Sequence, residues 1–185
     1  MPEPWPLRDS QPLLDTGLFQ VTRDRACSPR TGEELNFNVI RMADWLMVVA
    51  LDQAGRLVMV RQYRHGSRAF SLEVPGGLHN DDHHADPQQP EQGAARELAE
   101  ETGYGGGEWS CLAELRPQPA LFSNRMWIYL ARNVAPLSAQ KLDPGEDIEV
   151  ALVDPRELKA RIASGEINNA MTIAALYMAQ QSGTL

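Results

Sequence analysis

The sequence is short of cysteine, of positive charge and of long apolar runs, and each shortage removes a class of protein. Only Cys27 and Cys111 occur in 185 residues, far apart and with no CxxC. That count excludes a disulfide framework and a zinc-finger site. Two free thiols in a reducing compartment are the expectation, so we expect a cytoplasmic protein. Lys and Arg number 17 against 25 Asp and Glu, a net charge of −8. A chain with a pI near 5.0 lacks the clustered cations that binding a phosphate backbone requires, and no nucleic-acid partner is expected. The longest strongly apolar run, Trp45–Leu51, is too short to span a bilayer. The opening MPEPWPLRDSQP lacks a basic segment followed by an apolar one, so it does not read as a secretory leader. No membrane partner is expected, and no internal repeat is present. What remains is ordinary: hydrophobic residues at 43% and charged residues at 23% suit a globular chain of one main domain.

Along the chain, residues 1–12 are proline-rich and read as an irregular lead-in. Residues 19–26 and 35–42 alternate loosely around the turn-forming SPRTGEE and read as a β-hairpin. Strands are expected at 46–51, 56–63 and 70–74, the last ended by Pro75-Gly76-Gly77. The polar stretch LHNDDHHADPQQ then reads as a loop. Pro90 sits where a helix prefers its first residue and Gly103 where it prefers its stop, so PEQGAARELAEET reads as a helix. Further strands are expected at 109–116, 126–132 and 148–153. A helix follows, opened by Asp154-Pro155 and closed by Gly165, and a last helix covers about Asn169 to Gln180. Mixed strands and helices without regular βαβ alternation make the fold class α/β or α+β, of which α+β is the expectation.

The helix at 90–102 carries the chemistry. At 100° per residue, Glu97, Glu100 and Glu101 fall within about 100° of one another, opposite Ala95, Leu98, Ala99 and Thr102. Glu97 and Glu101 are like charges one turn apart, which costs an isolated helix a few tenths of a kcal/mol, roughly. Arg96 offsets part of this from one turn before Glu100. Three convergent carboxylates form a hard-oxygen set suited to Mg²⁺ or Mn²⁺. An acidic helix face can equally be merely solvated, and the surrounding sequence decides between the two.

The run Arg96-Glu97-Leu98-Ala99-Glu100-Glu101-Thr102-Gly103-Tyr104 reads R-E-U-x-E-E-x-G-U, with U a bulky apolar residue, and it follows a strand that ends in a glycine pair. In this the chain resembles the Nudix hydrolases, whose box is G-x5-E-x7-R-E-U-x-E-E-x-G-U. The second half of the box is matched at every fixed position. The first half departs twice. Ten residues separate Gly77 from the position eight before Arg96, where the box has five, and that position is Gln88 rather than glutamate. The five-residue insertion, within residues 79–86, and Gln88 put metal affinity and rate in question. The inserted HNDDHHAD could itself bind a metal, although His and Asp in a loop are more often solvated.

The resemblance implies an α/β/α sandwich with a mixed β-sheet between helices, plus an N-terminal β-hairpin lobe at 1–42 used for homodimerisation, ahead of the catalytic domain at 43–185. It implies a metal held by Glu97, Glu100, Glu101 and the Gly76 carbonyl, with Arg96 fixing the carboxylates. Val60-Arg61-Gln62-Tyr63-Arg64, Phe70 to Gly77, Glu146 to Val150 and Gly165 to Ala170 are similar to the ADP-ribose pyrophosphatase branch of that family. So is Pro119, sixteen residues past Gly103. That branch hydrolyses nucleoside diphosphate sugars, so a nucleotide-sugar substrate is implied. Its catalytic base lies on a loop before a late strand, here Glu146, with Asp147 and Glu149 as the other choices. Arg64, Glu73, Pro119 and Trp45 are the candidate substrate contacts, Trp45 as a ring able to stack on a base. After Pro119 this chain has Ala-Leu-Phe-Ser-Asn-Arg instead of the branch's glycine and acidic residue. A GDP-mannose-type substrate, a nucleoside triphosphate, or nucleotide binding without cleavage therefore stay open at this level.

Overall fold

The computed structural model describes residues 1–79 and 89–185, which separate into two compact units. Gln88 and the insertion beyond His79 lie outside the described residues.

One unit comprises Met1–Ala43 and Arg116–Arg125. Its strands are β1 (Leu7–Asp15), β2 (Phe19–Cys27) and β3 (Glu34–Met42), an antiparallel sheet in the order β1-β2-β3. The lead-in expected at 1–12 is therefore corrected: from Leu7 onward it is a strand, and the hairpin is three-stranded. Proline lacks a ladder donor, and strands tolerate it at edges and bulges. Pro12 has both excuses, since β1 is the edge strand and its register shifts between Pro12 and Leu14. The 116–125 segment fastens onto β3. The Ile40 amide donates to the Leu121 carbonyl (2.8 Å), and the Ser123 amide donates to the Ile40 carbonyl (3.0 Å).

The other unit comprises Asp44–Leu115 and Met126–Leu185. It holds β4 (Trp45–Asp52), β5 (Leu57–Arg64), β6 (Ala69–Glu73), α1 (Pro90–Thr102), β7 (Tyr104–Gly105), β8 (Glu108–Leu115), β9 (Met126–Pro136), β10 (Ile148–Val153), α2 (Leu158–Ala163) and α3 (Ala170–Gln181). A single 3₁₀ turn, Pro155–Glu157, leads into α2, and the Asp154 carboxylate accepts from the Arg156 amide at its start. The sheet runs β10-β5-β4-β9-β7, with β6 on β5 and β8 on β9. It is mixed, because β4 and β9 are parallel while the other pairs are antiparallel.

Strand β4 explains the layering. Its side chains alternate between two faces, and both faces are dry. Met47, Val49 and Leu51 join a cluster with Leu176, Ala175 and Ala179 of α3. Leu46, Val48 and Ala50 join a second cluster with Ala94 and Leu98 of α1. A strand covered on both sides reads as a continuous apolar run rather than an alternating one, which is what LMVVAL shows. Each such fully buried side chain contributes about 1.5–3 kcal/mol. The helix–sheet–helix sandwich is the expected one.

Strand β5 pairs with β4 only at Leu57 and Val58. The rest of that edge is taken by residues 75–79. The Val48 amide donates to the Pro75 carbonyl (2.9 Å), Leu46 and Gly77 exchange amide bonds (2.9 and 3.1 Å), and the His79 amide donates to the Asp44 carbonyl (2.8 Å). The glycine pair is thereby laid along the central strand, under α1.

Candidate active site

Helix α1 has the bounds its caps predict. Pro90 is at its start, and Gly103 ends it at φ 74°, donating to the Ala99 carbonyl. The inward face differs from expectation. Gly93, Ala94, Glu97, Leu98, Glu101 and Thr102 are the buried residues, and Ala95 and Ala99 are only partly covered. On the wheel Glu101 lies about 20° from Ala94 and Glu97 about 60° from it, inside the buried arc. Two of the three glutamates are therefore not a solvated face. Glu97 and Glu101 are 6% and 3% exposed.

Each carboxylate has a fixed partner. Arg96 donates to Glu97 (2.7 Å) and to Glu100 (2.5 Å), holding adjacent turns of the helix with one guanidinium. The Gly76 amide donates to Glu101 Oε2 (2.9 Å). Gly77 makes room for Glu97: a Cβ there would lie 2.4 Å from Glu97 Oε2. Burial pushes the Glu101 carboxyl up to about 8, opposed by the Gly76 N–H and reinforced by the charges of Glu97 and Glu146, with Arg64 opposing in turn. The site is thus short of positive charge.

The floor comes from β5 and β6. Val60–Glu73, Gln62–Ser71 and Arg64–Ala69 are register partners, so their side chains share the face that carries Val58 and α1. Arg64 reaches back along this face and makes a fork with Glu73, Nε at 2.9 Å and Nη2 at 2.7 Å. Glu73 is 1% exposed and also accepts from Asn169 Nδ2 (2.6 Å). The Glu73 bond raises Arg64 above its ordinary value against the pull of burial, and the charges of Glu101 and Glu146 add to it. Gln62 Nε2 and Ser71 Oγ, both buried, have no hydrogen-bond partner among the described residues.

Glu146 enters from the segment between β9 and β10. It is exposed, its Oε2 accepts from the Asp143 amide (2.9 Å), and its charge acts on both Glu101 and Arg64. Glu149 is the register partner of Arg61, on the opposite face from Gln62 and Arg64. Trp45 is half-buried at the start of β4, packed against the α3-side cluster. Pro119 belongs to the other unit, in the turn where Leu121 and Phe122 donate to the Gln118 carbonyl.

The donor set available to a metal is Glu97, Glu100, Glu101 and the Gly76 carbonyl, all hard oxygens. As the side chains stand, no three acidic, His or Cys groups among the described residues converge on one point. Glu97 and Glu100 close on Arg96, and Glu101 on Gly76. Burial and the neighbouring carboxylates push Glu101 up to about 8, toward its neutral form, and a divalent cation would restore the ionised one; in this the residues fit a cation. The Arg64–Glu73 fork, Asn169 and the Gln62–Ser71 pair were not all visible in the sequence. A hairpin register between β5 and β6 would have brought Arg64 and Glu73 to one face, while nothing local links Asn169 to either.

Residues 42–174 match the NUDIX domain, and the chain belongs to that family. An ADP-ribose pyrophosphatase of Mycobacterium tuberculosis is 31% identical over 167 residues, covering 89% of this chain and 78% of the relative. The ADP compounds hydrolase NudE of Escherichia coli is 27% identical over 128 residues, covering 68% and 64% of the two chains. A crystal structure of an ADP compounds hydrolase superposes with a TM-score of 0.82 over 100% of this chain and 99% of that one, at 20% identity, which shows the shared fold. The chain is a Nudix-type hydrolase.

Proposed function

We propose that the chain hydrolyses the pyrophosphate bond of an ADP-linked sugar, ADP-ribose first among them, giving AMP and a sugar phosphate. Mg²⁺ is the cation, and Mn²⁺ substitutes for it. The observation that carries this reading is the set of Glu97, Glu100 and Glu101 fixed on one helix by Arg96 and Gly76, with Glu101 within charge reach of Arg64. The names of the relatives supply the adenosine half of the substrate.

A bound divalent cation supplies neutralisation of the pyrophosphate oxygens and a lowered pKa for the attacking water. The chain's own residues do the rest. Arg96 and the Gly76 amide keep the carboxylates aimed. Arg64 spends Nε and Nη2 on Glu73, which leaves Nη1 for a phosphate oxygen. Glu73 thus acts on the substrate through Arg64. Gln62 Nε2 and Ser71 Oγ are unspent donors on the same face. Glu146 takes the proton of the attacking water; Asp147 is the second choice, and Glu149 faces away. Trp45 serves packing.

The protein works as a homodimer through its three-stranded unit. Leu7, Leu13, Leu14, Leu35 and Phe37 are exposed there, more apolar surface than a lone sheet usually leaves in water. The cytoplasm suits its two free cysteines. No helix of the described residues is long and apolar enough to cross a membrane.

The test is turnover with Mg²⁺ and with Mn²⁺ against ADP-ribose, ADP-glucose, GDP-mannose, NADH, a diadenosine polyphosphate and the common triphosphates. A coupled phosphatase detects the monoester products. Preference for an ADP-sugar supports the reading. Preference for GDP-mannose or a triphosphate moves the substrate class. Ligand-induced thermal stabilisation without turnover would make the chain a binding module.

A further inference from the structure

The end of α1 is finished by residues far away in sequence. Its last carbonyls have no partners within the helix, and every helix must find such partners elsewhere. Here one segment, between β9 and β10, supplies them. Lys141 donates its amide to the Glu100 carbonyl (2.8 Å), and Leu137 and Ser138 donate theirs to the Gly103 carbonyl (2.8 and 3.2 Å). The Glu101 carbonyl is served by a side chain. Gln140 Nε2 donates to it at 2.6 Å, and the same nitrogen donates to the Ile148 carbonyl at 3.1 Å.

Both protons of that amide are committed, to carbonyls at two separate places. One is on the residue whose carboxylate belongs to the acidic set. The other is on the first residue of β10. Residues 141–147 leave Gln140 and return to Ile148, so this side chain closes the base of the loop that carries Glu146. Within the loop, the Glu146 amide donates to the Asp143 carbonyl and the Asp143 amide to the Glu146 carboxylate. The loop is thus internally braced and joined at its base to α1.

We propose that Gln140 is a positioning residue for the hydrolysis: its carboxamide sets Glu146 against the carboxylates of α1. The inference rests on the reading of Glu146 as the base. A merely structural cap would stabilise the helix end without caring which group the loop presents. A positioning residue loses its value once the group it positions is gone.

The experiment measures kcat, KM for ADP-ribose and half-saturation by Mg²⁺ in Gln140→Met, Gln140→Arg, Glu146→Gln and the Gln140→Met/Glu146→Gln double variant. Methionine keeps the volume and removes both donors, and the three backbone bonds of Leu137, Ser138 and Lys141 remain to hold the fold. Arginine restores donors that reach two carbonyls. We expect Gln140→Met to lower kcat about 10- to 100-fold, the scale of a misplaced catalytic group. KM and Mg²⁺ half-saturation should stay within about twofold, and Gln140→Arg should recover most of the rate. The double variant should be no slower than Glu146→Gln alone. An equal loss in both backgrounds overturns the proposal, as does a loss confined to KM or to Mg²⁺ half-saturation. Should Gln140→Met fail to melt cooperatively, Gln140→Arg decides: a rate equally poor in a folded protein overturns it. Full activity in Glu146→Gln overturns the reading beneath it, a result the double variant cannot imitate.

Discussion

Adding one methyl group to each of the two neighbouring glycines should produce two different failures. A Cβ on Gly76 would lie 2.1 Å from the Leu46 carbonyl oxygen and 3.1 Å from its carbon. That neighbour is backbone of the central strand, and it accepts the Gly77 amide bond. It cannot move without opening the Leu46–Gly77 pair. Two backbone hydrogen bonds at about 1 kcal/mol each and overpacking of about 1–3 kcal/mol put the cost of Gly76→Ala near 3–5 kcal/mol. For a chain of this size that is a fall in melting temperature of roughly 10 °C. A Cβ on Gly77 would instead meet the Glu97 carboxylate, at 2.4, 2.5 and 2.7 Å from Oε2, Cδ and Oε1. A side-chain end can swing aside, so Gly77→Ala should cost about 1–3 kcal/mol. The swing takes Glu97 from its place beside Arg96, and kcat should fall about 100-fold. Thermal melts and the coupled monoester assay on both variants read the contrast. Gly77→Ala with near-normal kcat, or Gly76→Ala no less stable than Gly77→Ala, refutes the reasoning.

Glu101→Gln keeps the Gly76 contact but removes the charge, so Mg²⁺-dependent turnover should fall at least about 100-fold while the circular dichroism spectrum is unchanged. Arg64→Lys keeps the charge and loses the planar fork to Glu73, so KM for ADP-ribose should rise about 10-fold with a smaller change in kcat; an unchanged KM would remove Arg64 from the substrate contacts. Asp52, 7% exposed, accepts from the amides of Ala54 and Arg56 and pairs with the Arg56 guanidinium; burial pushes its carboxyl up, but the Arg56 and Ala54 bonds outweigh that and hold it below the ordinary range. A carboxyl lowered by folding stabilises above its unfolded pKa, near 4, and ceases to as pH falls through the folded value, so Asp52→Asn should cost about 1–2 kcal/mol at pH 7 and little near pH 2, read by denaturant melts at both.

The elements most legible in the sequence were those with local punctuation. Pro90 and Gly103 bounded α1 to the residue, and Asp154-Pro155 opened the next helical segment. The apolar run of β4 was readable as a buried strand because both of its faces are covered. Strand β1 was missed because Pro12 within it argues against a strand unless its edge position and bulge are known, and sequence shows neither. The inward face of α1 was also misjudged. The wheel set the glutamates opposite Ala95, Leu98, Ala99 and Thr102, whereas the buried arc is Gly93, Ala94, Glu97, Leu98, Glu101 and Thr102. The candidate carboxylates were visible as a motif. Their supports were not, because Asn169, Gln140 and Ser71 reach the site across strand register or loop closure. No spacing along the chain records such contacts.

The capping of α1 from residues 137–141 also fixes an order of events at the ribosome. The acidic helix emerges some forty residues before the segment that completes its last turn, as 140 minus 100 shows. The parallel partner of β4 emerges later still relative to that strand, since Met126 pairs with Trp45. A nascent chain stopped short of residue 126 would hold the second half of the Nudix box with its helix end unsealed and one edge of its central strand bare. Such a chain has the carboxylates but not the segment that seals their helix and carries Glu146, and an exposed apolar edge invites association with other chains. The acidic run is therefore present in sequence well before it is complete as a site, and the last third of the chain supplies the difference.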